Sequence, residues 1–117
     1  MEIAGLVSRI IVPQFEVIGT VYDGQAAVTA TLALNPDVLI TDIILPVLNG
    51  IEVVRRLISL GTRSKALILT AVEDAEYVDE ALRAGASGYV FKRKIGVDLS
   101  IAITEALAGR IFNPLAG

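Results

Sequence analysis

The sequence predicts an α/β fold built on a parallel sheet. The first observation behind this is that short apolar runs alternate with helix-like patterns along the chain, which is typical of βα units. The second is that the apolar runs are unbroken, as expected for strands buried on both faces. The third is a hydrophobic content of 54% in 117 residues. That length suits a single domain with its own core.

Turn residues set the bounds of four predicted strands and five predicted helices. Pro13 ends the first helix, and Gly61 and Gly85 follow two later helices at the position where a helix commonly ends. In chain order the elements are a helix over 2–11, a strand over 16–21, a helix over 25–34, a strand over 38–41, a helix over 50–60, a strand over 66–70, a helix that Asp74 caps and that ends at 84, a strand over 88–91, and a helix over 97–108.

Composition excludes most catalytic mechanisms. The chain has no Cys and no His, so it lacks thiolate nucleophiles, imidazole bases and the usual zinc ligands. We therefore predict that it is not an enzyme. A net charge of −3, with Lys92-Arg93-Lys94 as the densest basic run, argues against direct nucleic-acid binding. No apolar run reaches the roughly 18 residues of a membrane span, so we predict no membrane contact and a cytoplasmic location.

Polar side chains of complementary kinds follow or end three predicted strands: Asp42, Thr70 and Lys92. The carboxyl ends of parallel strands meet at one edge, where open α/β sheets bind ligands. There a carboxylate nucleophile, with a hydroxyl and an ammonium to hold oxygen charge, can handle an anion such as a phosphoryl group. The alternative is that Asp42 is a turn or capping residue paired with Lys92, and that Thr70 merely ends its strand.

Several separated segments resemble a response-regulator receiver domain, and the likeness covers essentially the whole chain. They are residues 36–42 with Leu45-Pro46 and Asn49-Gly50, residues 67–71, and residues 84–92. Residues 109–114 are similar to the ending of the NarL-type branch, whose receivers precede a helix-turn-helix output domain. The resemblance implies a flavodoxin-like (CheY-like) doubly wound parallel sheet. We expect one receiver-like domain over 1–117, truncated at its amino terminus and without an output domain.

The resemblance also implies a role for each residue of the site. Asp42 is expected to be the phosphoacceptor that receives a phosphoryl group from a histidine kinase. Thr70 is expected to follow that group after transfer, and Lys92 to contact it. Tyr89 is similar to the aromatic switch that turns inward on activation, and Ala71 to the small residue that leaves room at the site. The alternative for Tyr89 is a half-buried aromatic residue on an edge strand.

Two departures from the family pattern affect these expectations. The family begins with a strand that ends in two adjacent acids, which bind Mg²⁺ together with the phosphoacceptor, and this chain begins at the following helix. Asp42 and the Ile44 carbonyl alone would make an incomplete Mg²⁺ site, weak or absent. Since the metal neutralises charge during phosphoryl transfer, its loss should impair the chemistry. The other departure is Arg93, where many receivers have proline.

The missing strand is the central one in the family's order, 2-1-3-4-5. Without it the strands over 16–21 and 38–41 would lie two spacings apart, roughly 10 Å, with unpaired edges facing each other. Three arrangements resolve this: further residues precede Met1, the two strands pair directly, or another chain fills the gap in a strand-swapped oligomer.

Two functions from different classes fit the sequence. The first is a receiver that accepts phosphate at Asp42 and signals through the helix over 75–84, the strand over 88–91 and the helix over 97–108, often as a homodimer, to control transcription through an output domain. The second is a receiver-like interaction or dimerisation module that works without phosphorylation. An unrelated flavodoxin-like enzyme or nucleotide binder is a third reading, but no phosphate-binding glycine loop is present.

Overall fold

The computed structural model describes residues 19–116, and within this range three strands form one parallel sheet. The strands are β1 (Val38–Thr41), β2 (Lys65–Thr70) and β3 (Gly88–Phe91), in the order β1-β2-β3. Thr41 pairs with Ile68, and Thr70 pairs with Phe91. The carboxyl ends of all three strands therefore lie along one edge of the sheet.

Four helices lie in the described part of the chain, and they cover both faces of the sheet. They are α1 (Gly24–Leu34), α2 (Gly50–Ser59), α3 (Ala75–Ala84) and α4 (Ile95–Leu107), and a 3-10 turn (Lys92–Lys94) joins β3 to α4. Neighbouring residues of β2 point to opposite faces: Leu67 and Leu69 pack with α4, whereas Ile68 packs with α2 and α3. This arrangement confirms the doubly wound architecture predicted from the sequence.

The core consists of two clusters on the sheet faces and a third between α1 and α2. The α4 side joins residues of β2 and β3 to the buried face of that helix: Leu67, Leu69, Val90, Leu99, Ala102, Ile103 and Ala106. The opposite side includes residues of α2, α3, β2 and β3: Ile51, Val54, Val78, Ala81, Ile68, Tyr89 and Phe91. The third cluster contains Ala27, Val28, Val53 and Leu57. Burial on both faces accounts for the unbroken apolar runs of the strands.

The outer edge of β3 is covered by the segment around Phe112. The backbone N–H of Tyr89 donates to the Phe112 carbonyl at 3.1 Å, and the N–H of Phe112 donates to the Ser87 carbonyl at 3.0 Å. Gly88 suits the close packing here, because a Cβ at this position would lie 2.7 Å from Leu67 Cδ2 and 3.1 Å from Phe112 Cβ and would require both side chains to shift. The segment around Phe112 thus shields an edge that would otherwise present unpaired backbone groups.

Most predicted element bounds are confirmed to within two residues. β1, β3 and α3 have the predicted bounds, β2 starts one residue earlier, and α4 begins at Ile95 rather than at 97. The predicted helix over 2–11, Pro13 and residues 16–18 of the first predicted strand lie outside the described residues. At 19–21 the prediction of strand is wrong. There Val21 packs against the cluster between α1 and α2.

Three helices start after an Asp or Asn residue, and two of these side chains make the expected cap hydrogen bond. Asp23 Oδ1 accepts from the N–H of Ala26 at 2.8 Å, and Asn49 Oδ1 accepts from the N–H of Glu52 at 2.9 Å. Asp74 stands at the predicted cap position of α3, but its side chain makes no cap hydrogen bond. Its backbone carbonyl instead accepts from Tyr77 and Val78. Across 19–116, no helix has the length and apolar character needed to cross a membrane.

Candidate functional site

The structure brings together the charged side chains that follow β1 and β3. Lys92 Nζ lies 2.8 Å from Asp42 Oδ2, so the two form an ion pair at the carboxyl edge of the sheet. The Asp42 side chain is 16% exposed and that of Lys92 is 38% exposed. The pair is thus partly screened from solvent but still reachable by a ligand.

The loop after β1 fixes the backbone of Asp42 against the start of α2. The N–H of Gly50 donates to the Ile43 carbonyl at 2.9 Å. A Cβ at position 50 would lie 2.1 Å from the Asp42 carbonyl oxygen, so only glycine permits this approach. The N–H of Ile44 also donates to Asp42 Oδ1 at 3.2 Å. Backbone packing and one amide therefore position the carboxylate before any ligand arrives.

The surroundings of Asp42 keep its carboxyl ionised at neutral pH. Partial burial raises its pKa, but hydrogen bonding from Lys92, the Thr70 hydroxyl and the N–H of Ile44 outweighs burial, so the pKa lies below the ordinary value of 3.8. An ionised carboxylate beside an ammonium and a hydroxyl is a nucleophile with two groups available to hold oxygen charge. The pairing of Asp42 with Lys92 fits both interpretations of the strand ends, the phosphoryl site and the structural ion pair.

Thr70 and Tyr89 are connected through the backbone of Val72. The N–H of Val72 donates to Thr70 Oγ1 at 3.3 Å, and the Tyr89 hydroxyl donates to the Val72 carbonyl at 2.7 Å. Thr70 and Tyr89 are both fully buried. The half-buried alternative for Tyr89 is therefore wrong, because its ring packs in the core on the α2–α3 side of the sheet. Burial and, to a smaller extent, the charge of Asp42 raise the pKa of Tyr89.

A second ion pair joins the two loops that follow β2 and β3. Arg93 Nε lies 2.6 Å from Glu73 Oε2, and the guanidinium lies 5.7 Å from the centre of the Phe91 ring. The sequence singled out Arg93 as part of a short basic run and as a departure from proline, not as the partner of Glu73. The signal for the contact was the position of an acid three residues after one strand and a base two residues after its neighbour, but the loop paths decide whether such residues meet.

The described residues supply little of a metal site. Within 19–116, no three His, Cys, Asp or Glu side chains are grouped so that they could hold a metal ion. Of the ligands expected for Mg²⁺, the described range contains the Asp42 carboxylate and the Ile44 carbonyl, and Asp42 already contacts Lys92 and the N–H of Ile44. These groups alone do not fit an octahedral Mg²⁺ ion.

A sequence model of the response regulator receiver domain matches residues 2–104. The chain is 41% identical over 99 residues to the transcriptional regulatory protein YvfU of Bacillus subtilis, covering 84% of the chain and 50% of that protein. It is 42% identical over 96 residues to the transcriptional regulatory protein DegU of Brevibacillus brevis, covering 82% of the chain and 40% of that protein. The chain thus spans half or less of the length of these two curated relatives.

A solved structure shares the fold over nearly the whole chain. This is a two-component response regulator of the LuxR family from Aurantimonas sp. SI85-9A1, with a TM-score of 0.85 and 31% sequence identity. The match covers 97% of this chain and 80% of that one. Sequence and structure thus lead to the same family.

Proposed function

The chain belongs to the response regulator receiver domain family, and from that premise we propose that Asp42 accepts a phosphoryl group from the phosphohistidine of a sensor kinase. The observation that carries the proposal is the ion pair of Asp42 with Lys92, 2.8 Å apart at the carboxyl edge of the sheet. It holds an ionised nucleophile and a cation together where parallel sheets bind their ligands.

Transfer would proceed by attack of an Asp42 carboxylate oxygen on phosphorus. A P–O bond forms as the P–N bond to the kinase histidine breaks, and the product is an acyl phosphate. The Lys92 ammonium then contacts the new phosphoryl oxygens in place of the carboxylate charge. The Thr70 hydroxyl accepts a hydrogen bond from Val72 and donates its own proton to Asp42, so after transfer the same proton can bond to a phosphoryl oxygen on Asp42. Thr70 and Lys92 thereby act as electrostatic partners of the nucleophile.

The same contacts suggest how phosphorylation of Asp42 could change the structure at the protein surface. Movement of the Thr70 hydroxyl toward a phosphoryl group would remove the acceptor of the Val72 N–H, while the Val72 carbonyl still accepts from Tyr89. Tyr89 would therefore serve as the switch residue, coupled to Thr70 through the backbone of a single residue, Val72. We propose that the signal leaves through the face of α3, β3 and α4, and that this face forms a homodimer contact.

The whole protein would use this switch to control transcription. Both curated relatives are named transcriptional regulatory proteins, and both are longer than the matched region. We propose a cytoplasmic regulator in which the receiver acts on a helix-turn-helix output domain, with a histidine kinase as its partner and signalling rather than turnover as its task. Mg²⁺ is the cofactor that family membership implies, and residues beyond Asp42 and Ile44 would have to complete its site.

Phosphorylation by a small donor tests the proposal. The purified chain is incubated with acetyl phosphate and Mg²⁺, and intact mass spectrometry measures the gain of one phosphoryl group. We expect a gain in the wild type and none in Asp42→Asn. Asp37→Asn is the matched control, since Asp37 is exposed just before the same strand and should leave labelling intact. Labelling of Asp42→Asn at the wild-type level would refute the proposal, and no labelling of the wild type would favour the phosphorylation-independent module.

A further inference from the structure

The junction of Asn49 and Gly50 lies directly beside the phosphoacceptor and carries a chemistry of its own. The main-chain nitrogen after an asparagine can attack the asparagine side-chain carbonyl carbon, and glycine hinders this least because it has no side chain and rotates freely. Such asparagines are among the thermolabile residues of proteins. We propose that Asn49 is a site of spontaneous deamidation. The native fold suppresses the reaction, and unfolding allows it.

The reaction needs no partner other than water. A bond forms between Gly50 N and Asn49 Cγ, the bond from Cγ to the side-chain nitrogen breaks, and ammonia leaves with the proton from Gly50. Water then opens the resulting succinimide ring at either of its two carbonyls. One product has aspartate at position 49. In the other, isoaspartate, the main chain runs through the former side chain and is one atom longer.

In the folded protein each of the two reacting groups is engaged in a hydrogen bond with another residue. Asn49 Oδ1 caps α2 by accepting from the N–H of Glu52 at 2.9 Å. The attacking nitrogen belongs to Gly50, which is the first residue of α2. Its N–H donates to the Ile43 carbonyl at 2.9 Å. A Cβ at position 50 would lie 2.1 Å from the Asp42 carbonyl oxygen, so there is little room for Gly50 to rotate. Ring closure therefore requires the start of α2 to open.

A second junction near the same loop has the same construction. Asp23 caps α1 by accepting from the N–H of Ala26, and the N–H of Gly24 donates to the Pro46 carbonyl at 3.0 Å. A Cβ on Gly24 would lie 2.1 Å from the Leu48 carbonyl oxygen. Aspartate before glycine forms the same succinimide with loss of water. The loop over 43–49 thus closes two reactive junctions, and its opening exposes both.

The two products at position 49 differ in their consequences for the site. Aspartate is as good a helix cap as asparagine, so that product keeps the start of α2. Isoaspartate inserts an atom just before Gly50, where the backbone already touches the Asp42 carbonyl. It must displace either the helix start or the loop that carries Asp42. Unfolding followed by this reaction would therefore leave lasting damage next to the phosphoacceptor.

The test compares the chain in native buffer and in unfolding concentrations of urea at mildly alkaline pH. Intact mass detects the exchange of amide for carboxyl, and peptide mapping locates it. The other two asparagines, Asn35 and Asn113, precede proline and have no attacking N–H, so they are internal controls. Asn49→Ser keeps a capping side chain but has no amide to lose. We expect deamidation at position 49, at least about tenfold faster in urea, because opening of the helix start limits the native rate.

Equal rates in native buffer and urea would overturn the proposal, as would equal amounts of deamidation in Asn49→Ser and wild type. The structural consequence is tested separately by refolding the isoaspartate form and measuring its urea midpoint against Asn49→Asp. A lower midpoint is expected for isoaspartate, and equal midpoints would contradict it. Neither readout depends on phosphorylation of Asp42.

Discussion

At the scale of single residues, the charge state of Asp42 depends on a balance between burial and its neighbours. Burial raises the pKa of this carboxyl, and hydrogen bonding from Lys92, Thr70 and Ile44 lowers it further than burial raises it. Lys92 is the largest of the lowering influences. The Lys92 ammonium therefore helps to keep the Asp42 carboxylate ionised before any phosphoryl group is bound.

Lys92→Met tests this balance, since it removes the charge but keeps a long apolar side chain. We expect the pKa of Asp42 to rise, which a ¹³C NMR titration of the side-chain carboxyl measures. Lys94→Met removes the same charge from an exposed neighbour and should leave the titration of Asp42 unchanged. If Lys92→Met left the Asp42 titration unchanged, or Lys94→Met shifted it equally, Lys92 would not be the group that holds the carboxylate.

The same variant should alter the pH dependence of stability. A carboxyl whose pKa is lowered on folding stabilises the native state above its ordinary value of 3.8, and this contribution is lost as the pH falls through the lower folded value. Lys92→Met should therefore be less stable at neutral pH, by about 1 kcal/mol or less because Lys92 is partly exposed. The difference should shrink in acid, as urea unfolding at a series of pH values can show.

Tyr89→Phe tests the hydrogen bond that connects the switch to Val72. The hydroxyl is lost from a fully buried ring and the Val72 carbonyl loses a donor. We expect the free energy of unfolding to fall by about 1 kcal/mol. Tyr77→Phe, at an exposed ring in α3, should change it by less than about 0.5 kcal/mol. Equal urea midpoints for the two variants would show that the Tyr89 hydroxyl contributes nothing to stability.

At the scale of elements, the loop over 43–49 combines close packing with local strain. Val47 has φ of 73°, and the N–H of Leu48 donates to the Pro46 carbonyl at 2.9 Å across it. This is a γ-turn of the strained kind, and a β-branched residue is poorly suited to it. The Val47 side chain is exposed, so packing does not account for its presence. The loop is thus held in shape by its contacts with Gly24 and Gly50.

Val47→Gly should relieve this strain without changing the packing of the loop. A left-handed conformation costs a residue other than glycine about 1–2 kcal/mol, and glycine loses about 0.5–1 kcal/mol through backbone entropy. We expect the free energy of unfolding to rise by about 0.5–1 kcal/mol. Val97→Gly, at an exposed residue in α4, should lower it by about the same amount. Urea denaturation compares the two, and a loss of stability in both would count against strain at Val47.

Elements that could be predicted from the sequence were those whose limits are marked by the residues themselves. β1 and β3 are short apolar runs bounded by turn or polar residues, and Gly85 ends α3 in the left-handed conformation expected of it. The left-handed φ of Val47 could not be predicted from the sequence, because valine rarely adopts it. The turn at Val47 depends on the path of the whole loop over 43–49. Likewise, Asp74 is a residue type that commonly caps helices, but its side chain makes no cap hydrogen bond to α3.

At the scale of the whole molecule, the sheet topology turns three distant positions into one site. The convergence of Asp42 and Lys92 was predictable because parallel strands share a carboxyl edge. The full burial of Tyr89 was not predictable, because the alternation of side chains along β3 does not show which face of the sheet is packed more completely. Nor was the contact of Arg93 with Glu73, since it depends on how two loops approach each other. Backbone contacts at Ile44 and Val72 carry no side-chain signal at all.

The most direct measurement locates the phosphoryl group itself. After reaction with acetyl phosphate, borohydride reduces an acyl phosphate at an aspartate to homoserine, and peptide mapping identifies the modified position. The account predicts homoserine at position 42 in the wild type and at no position in Asp42→Asn. Homoserine at another aspartate, with Asp42 unmodified, would contradict it.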